Sequence, residues 1–479
     1  MKTKIASIVC VLASISMFGQ AKEEWGPKFD YDSKNEIDAK VVLVDNYNHY
    51  MSSVINKDAS MQSKNEIIIR KFDQKNQLIT TTVEDFQYKD PGTLHNYLGS
   101  FELGTDKLVF FTDCYSGKTK KKEIFKTIFD KKTSAFSTTL VAEYTFESLM
   151  KSGTTTLLSS QNNNYIGIVY SKFANKKIAE EHECILIDAK TSDVIWKQNI
   201  TAPLLSFTQD IVLSNSGKFI FVKKEKETGS KNVLSIADGK TVETKNFEED
   251  IKITEPIVFS IDSNDYLLSF CSYTHGISAG DFAKIIIYDV NAGKTLKTNT
   301  LSNFSSIPDL KKVNFNKIAV QNNEIQLFVD CDYKTGTKPD PTFPNSSFTV
   351  PVYSNGNAGL LTFSMDGNLK NTVNYNVLPS NSNKCYKVQN FGGNYYMNTT
   401  LKYGGMYYHG VYKLNTPDFN TTHSSSRFTF DHGTSIKEHL EGSVVNQFCD
   451  YLPDSKRLLL AKTYNDGKMA FISVIGVEL

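Results

Sequence analysis

Residue types able to do chemistry are present in this chain, but not at the spacings that chemistry uses. There is no HExxH for a metalloprotease zinc, no GxSxG nucleophile turn, no Walker-type phosphate loop and no CxxC pair. His432 and His439 are separated by six residues, which is not a zinc-ligand spacing, and they read as solvated histidines. Asp330, Asp332 and Asp340 are the calcium candidates, and they lack the ligand order of a calcium loop. Carboxylates are plentiful elsewhere. A glycosidase pair therefore stays an alternative, because its separation of roughly 5–10 Å is invisible in sequence. Cys114, Cys271 and Cys331 sit near the ends of apolar runs and read as buried free thiols, the rival being a Cys271–Cys331 disulfide. Apart from weak calcium binding, no cofactor is expected, and no metal site is assigned.

A second kind of chemistry, recognition by exposed aromatics, has clearer candidates. Segments 115–122, 172–183, 273–282, 333–359 and 403–409 are long or chemically varied stretches between apolar runs. They supply Tyr115, Tyr273, His275, Tyr333, Phe343, Tyr353, Tyr403, Tyr407, Tyr408 and His409. Segment 333–359 holds Pro339, Pro341, Pro344 and Pro351, which lower the entropy cost of presenting its aromatics. Gly404 and Gly405 sit between tyrosines in the last segment. Exposed tyrosines suit protein partners and sugar rings; the competing reading is that they pack down onto the scaffold.

The elements that must carry these segments are strands. An apolar run, a short Asn/Gly/Asp turn and a second apolar run recur along the chain, as in TLLSSQNNNYIGIVYS from Thr156 and IVLSNSGKFIFVKK from Ile211. A third run then ends at Asp73, Asp130, Asp188, Asp238, Asp289, Asp366 or Asn415, at steps of 49–58 residues except for one of 77 that contains the proline-rich segment. One short helix is expected, where Ser435-Ile436-Lys437-Glu438 makes a capping box.

Repeated four-stranded units that each expose an apolar face are stable when set in a ring with short edges, which is a β-propeller. The reading is all-β: a single propeller over 22–479, with eight four-stranded blades, or seven as the alternative. The last unit has three strands, and the stretch 29–37 is expected to supply the fourth, so that the N- and C-terminal strands pair and protect the edges. The segment LIDAKTSDVIW, from Leu186 to Trp196, resembles the strand-turn-Trp unit of quinoprotein-type propellers. That resemblance covers one blade; it implies the propeller superfold and leaves a quinone- or metal-dependent oxidoreductase as a weaker alternative.

Composition narrows the partners. Lys2 and Lys4 precede an apolar run over 5–18 and the small residues Gly19 and Ala21, so 1–21 read as a cleavable signal peptide. Without those two lysines the mature charge is −1, and only Arg70, Arg427 and Arg457 supply guanidinium forks. Nucleic acid is therefore not an expected partner. The lysine-rich stretch 118–132 alternates with apolar residues and reads as a solvated loop entering a strand. No later apolar run spans a bilayer. No C-terminal sorting domain is expected beyond the last blade, so the chain is expected in the periplasm or outside the cell. Together these features point to an exported, monomeric, non-enzymatic propeller that binds a protein or glycan through long loops on one face. The alternative is a carbohydrate- or peptide-cleaving enzyme.

Overall fold

The computed structural model describes residues 22–475 except 46, 57–64, 86–92, 176, 226–230, 250–251, 274–281, 301–311, 322, 340–348, 355–357, 376–385, 392–393, 404–405, 414–425, 432–442, 445–449, 453–455 and 465. Over 330–358 and most of 374–449 it describes the backbone. The expected helix at Ser435–Glu438 lies outside these residues, as do His432, His439 and the signal peptide.

Among the described residues there are eight antiparallel sheets, met in chain order. Sheet 1 comprises Glu36–Val42, Asn48–Asn56, Asn65–Asp73 and Leu78–Asp85; sheet 2 comprises Thr93–Leu103, Lys107–Ser116, Lys121–Asp130 and Ala135–Thr145. Sheet 3 is Thr154–Ser159, Tyr165–Ser171, Glu181–Asp188 and Val194–Thr201; sheet 4 is Ser206–Leu213, Phe219–Glu225, Lys231–Ala237 and Val242–Glu249. Sheet 5 is Lys252–Ile261, Asn264–Ser272, Phe282–Asp289 and Lys294–Thr300. Sheet 6 has Lys312–Gln321, Glu324–Pro339, Ala358–Ser364 and Leu369–Tyr375, and sheet 7 has Tyr386–Phe391, Asn394–Tyr403, Met406–Lys413 and Ser426–Asp431. In sheet 8 a broken first strand, Ser443–Val444 and Asp450–Leu452, precedes Arg457–Thr463 and Lys468–Ile475. Sheets 1–5 and 7 are four-stranded meanders in sequence order, the blade unit of a β-propeller; sheet 6 carries one further strand, and sheet 8 takes its outermost strand from the N-terminal segment.

The burial pattern explains why each unit takes this form. Second and third strands are near-continuous apolar runs, such as Ile285–Ile286–Ile287–Tyr288, and are buried on both faces. Fourth strands, such as LITTTVED at Leu78–Asp85, are mostly exposed and polar. The third-to-fourth turns use the Asp residues that marked the repeat. Asp73 accepts from the Lys75 and Gln77 N–H groups at 2.8 Å each. Asp130, Asp188, Asp238, Asp289 and Asp366 likewise bind backbone N–H groups two to three residues on. Asn415 lies outside the described residues.

The chain divides into two compact units. The larger unit, Asn56–Asn65 with Phe86–Asn383, holds sheets 2–6, whose first strands lie beside one another in succession. Neighbouring sheets bury apolar faces together. Phe111 and Ile124 of sheet 2 share a cluster with Ile168 and Ile185 of sheet 3, and Phe259 and Ile285 of sheet 5 share one with Ile318 and Leu327 of sheet 6. Each such side chain contributes about 1.5–3 kcal/mol. Cys114, Cys184 and Cys271 are buried free thiols, so the Cys271–Cys331 bridge is not formed.

The other unit, Met1–Ile55, Glu66–Asp85 and Lys384–Leu479, contains the terminal pairing. Lys22–Trp25 lies antiparallel to Ile472–Ile475 as the fourth strand of sheet 8, and Phe29–Asp30 extends that pairing at Met469 and Lys468. The sequence placed this strand at 29–37. The structure moves most of it upstream, because Glu36 is buried in sheet 1, where Arg70 and Ser53 hold its carboxylate. An Asp32 turn separates the two segments.

Segment 333–359 is largely a ribbon. The strand Glu324–Pro339 pairs first with Ala358–Ser364 and then, beyond the sheet, with Thr349–Ser354. Trp196, in the segment resembling quinoprotein repeats, is taken up in packing. It meets Phe219 edge-on at 5.4 Å, and it lies over Gly239 (φ +91°), where a Cβ would sit 2.9 Å from the indole.

Candidate functional site

The aromatic candidates divide by location. Tyr115 lies inside a strand opposite Lys122, whose ammonium sits 5.7 Å from its ring, and the connection that follows is the tight turn 117–120. Tyr273 follows the second strand of sheet 5 and is 45% exposed. Tyr333 pairs with Ser354, and Tyr353 with Lys334, so these two tyrosines are one register step apart on the sheet 6 ribbon. Tyr403, Tyr407, Tyr408 and His409 share the tight hairpin of sheet 7, pairing with Met406, Lys402, Leu401 and Thr400 respectively. His275 and Phe343 lie outside the described residues.

A different cluster forms where sheet 3 meets sheet 4. A cleft of about 520 Å³ opens there, on the face where second strands pass to third strands. Its walls include Ser152 and Gly153 before sheet 3, Ser171 and His182 across a strand pair, Glu180, and Thr208 and Asp210 on the first strand of sheet 4. Ser171 and His182 are register partners, so their side chains share a sheet face. The Ser171 Oγ lies 2.8 Å from His182 Nδ1. The other ring nitrogen, Nε2, lies 3.4 Å from Glu180 Oε2 and 3.3 Å from Thr208 Oγ1. Thr208 donates to Glu180 through its backbone N–H at 2.9 Å and its hydroxyl at 2.6 Å.

Burial and hydrogen bonding act oppositely on the two carboxyl groups of the cleft. Burial pushes the Glu180 carboxyl upward, but hydrogen bonds from His182 and Thr208 outweigh it and hold the group below the usual glutamate range. Glu180 is therefore an ionised acceptor facing His182 Nε2, an arrangement that favours a ring proton on that nitrogen. Nδ1 is left to accept the Ser171 hydroxyl. Asp210 is shifted the other way: surrounding protein raises it, only partly offset by the Ile211 N–H. Lys223, nearly fully buried nearby, is lowered by desolvation, with Glu180 opposing the shift. The cleft thus holds one fixed carboxylate, a second carboxyl whose pKa is raised, and a hydroxyl–imidazole pair.

Met150 (91% exposed) and Phe173 line the cleft. The exposed Leu149, Ile178 and Leu204 lie on the same connections, between sheets 2 and 3, within sheet 3, and between sheets 3 and 4. Tyr273 occupies the corresponding second-to-third connection of sheet 5. The opposite face of this unit is polar and stitched together. The Asn162 N–H donates to Asn215 at 2.9 Å, Lys218 donates to Asn291 at 3.2 Å, and Asn291 donates to Asn264 at 3.1 Å. Among the described residues of the unit, no large exposed apolar side chain lies on these first-to-second turns.

No motif marks Ser171, Glu180 and His182 in the chain. The signal was the alternation in Glu180-Glu181-His182-Glu183, which puts Glu180 and His182 on one strand face. Ser171 joins them only through the pairing register.

No protein-family model matches the chain, and no curated protein matches it. Among solved structures, the chain is similar to the Dos1 propeller at 12% identity and a TM-score of 0.43, over 97% of this chain and 98% of that one. It is also similar to the β-propeller domain of the Trilobed protease from Pyrococcus furiosus, at 12% identity and a TM-score of 0.36, over 82% of this chain and 100% of that one. An acylaminoacyl peptidase from Pyrococcus horikoshii aligns at 12% identity and a TM-score of 0.37, over 91% of this chain. The match spans 59% of that peptidase's length.

Proposed function

We propose that this is an exported propeller that binds a glycan through the face bearing the sheet 3–sheet 4 cleft. The observation that carries the reading is the asymmetry of the larger unit. One face has a polar cleft rimmed by Met150 and Phe173, while the other is closed by turn-to-turn hydrogen bonds. A sugar presents hydroxyls that both donate and accept, and an apolar ring face that stacks on aromatics. Serine, threonine, histidine and carboxylate side chains beside Phe173 complement both features. The cleft volume falls within the range of small-molecule sites. Cleavage after Ala21 would leave the strand Lys22–Trp25 whole, which is consistent with export. No cofactor is needed for this role.

The test is a glycan array followed by calorimetry on the chain from Lys22. Phe173→Ala is expected to weaken a hit at least tenfold without lowering the melting temperature. A second reading, a protein partner, is favoured by the exposure of Leu149, Met150 and Ile178. A silent glycan array together with crosslinking to an envelope protein through position 150 would select it.

A further inference from the structure

Ser171, His182 and Glu180 are joined in series in an open cleft, in the order a nucleophile, its base and the group that orients the base require. Each member is held from a rigid strand or its immediate flank. Ser171 ends the second strand of sheet 3, His182 begins the third, and Glu180 is tied to Thr208 in the next sheet by three contacts. The His182 side chain is only 3% exposed, and its ring packs tilted against Phe221 at 4.9 Å, which restrains it beside Ser171. Lys172, which also lines the cleft, is paired with Glu181 at 2.6 Å.

We infer that the cleft hydrolyses a carboxylic ester on the hydroxyl-rich ligand it binds, with Ser171 as nucleophile and His182 as its base. The inference rests on the binding reading above. In the first half-reaction the Ser171 oxygen attacks the ester carbonyl and its proton passes to His182 Nδ1. The imidazolium keeps its Nε2 proton toward Glu180, which stays ionised. Collapse of the tetrahedral adduct breaks the carbonyl–alkoxy bond, and Nδ1 returns its proton to the departing alkoxide, releasing a free sugar hydroxyl. Water then attacks the acyl-serine, giving one proton to Nδ1 and forming the carboxylic acid; that proton returns to the Ser171 oxygen. Nothing is oxidised or reduced, and water is the only co-reactant. An ester is the substrate class because an alkoxide leaves more readily than an amide nitrogen and demands less from the site. Glu180 acts through His182 as a positioning residue.

The experiment treats the unaltered chain from Lys22 with a fluorophosphonate and maps the modified peptide by mass spectrometry. Hydrolysis of p-nitrophenyl acetate is followed in parallel. The expected result is modification at Ser171. Hydrolysis should fall at least ~100-fold in Ser171→Ala, and Glu180→Gln should displace the pH profile of the remaining rate. An unmodified Ser171 in folded protein, or a Ser171→Ala variant as fast as its parent, overturns the proposal and leaves the Ser171–His182 bond a structural tie. Labelling uses no variant, so a misfolded mutant cannot mask the answer. Glycan binding is measured on the same preparation. Binding without labelling removes only the hydrolysis, whereas labelling without glycan binding removes the glycan reading.

Discussion

The side-chain amide of Gln161 donates to the backbone carbonyl of Ile318 at 3.0 Å, linking sheet 3 to sheet 6 although two complete sheets separate them along the chain. Gln161 also accepts from Asn215 at 3.3 Å, so one residue ties turns from sheets 3 and 4 to the first strand of sheet 6. Gln161→Ala is expected to cost about 0.5–1.5 kcal/mol. Urea unfolding should show a lower midpoint with an unchanged slope, and an unshifted midpoint would show that the contact contributes nothing.

His49 makes the fold sensitive to acid. Its ring stacks on Phe72 at 5.0 Å and meets Phe471 edge-on at 4.8 Å, and neither ring nitrogen has a hydrogen-bond partner. Burial, reinforced by Arg457 and opposed by Asp45, pushes its pKa down to about 3. An unfolded histidine takes a proton near pH 6.5, whereas the folded one refuses it until near pH 3. Stability is therefore lost as pH falls through that window, by about 1.4 kcal/mol per unit where the unfolded side chain alone is charged. His49→Phe should flatten the dependence of melting temperature on pH between 6.5 and 3 relative to the parent.

The buried Glu36–Arg70 pair predicts a non-additive mutant cycle. Arg70 donates to both carboxylate oxygens at 2.8 Å, with Ser53 beside them. Arg70→Met strands a buried carboxylate and is expected to cost about 3–5 kcal/mol. Adding Glu36→Leu should recover part of that loss. Equal losses in the single and double variants, measured by denaturant titration, would show that the pairing is not what matters.

Gly153 couples the cleft to its backbone. At φ +70°, a Cβ there would lie 2.4 Å from the Ser171 carbonyl oxygen and 2.9 Å from the Tyr170 ring. Gly153→Ala should destabilise the chain by about 1–3 kcal/mol and displace Ser171. Ligand affinity in calorimetry should weaken with it; unchanged affinity and melting temperature would mean that the strand end yields at no cost.

Thiol labelling should distinguish burial from disulfide bonding. Burial, with Glu123 and Asp113 adding to it, pushes the Cys114 pKa to about 12. Burial likewise raises Cys184. At pH 8 an alkylating reagent should leave Cys114, Cys184 and Cys271 unmodified until denaturant is added, after which all three should react without reductant.

The repeat was legible in the sequence because its punctuation is local. Asp73, Asp130, Asp188, Asp238, Asp289 and Asp366 each close a turn with their own following N–H groups, so the side chain announces the turn without tertiary help. The closing strand was placed too late because Lys22-Glu23-Glu24-Trp25 shows no apolar alternation. An outermost strand faces solvent and needs none, and it is held through the backbone and by Asn76, which donates to the Glu24 carbonyl at 3.0 Å. The cleft was illegible for another reason. Ser171, Glu180 and Thr208 meet only once two strand registers and one sheet-to-sheet contact are set, and no spacing along the chain encodes that.

The pairing of Lys22–Trp25 with Ile472–Ile475 also sets an order in time. The first of these residues to be synthesised waits for a partner made roughly 450 residues later. At about 5–20 residues per second that is a delay on the order of half a minute to a minute and a half. Through that interval the segment carries no native sheet partner. The final association is a long-range closure of the kind that folds slowly. The locking step that joins the two ends consequently comes after the other sheets have been made.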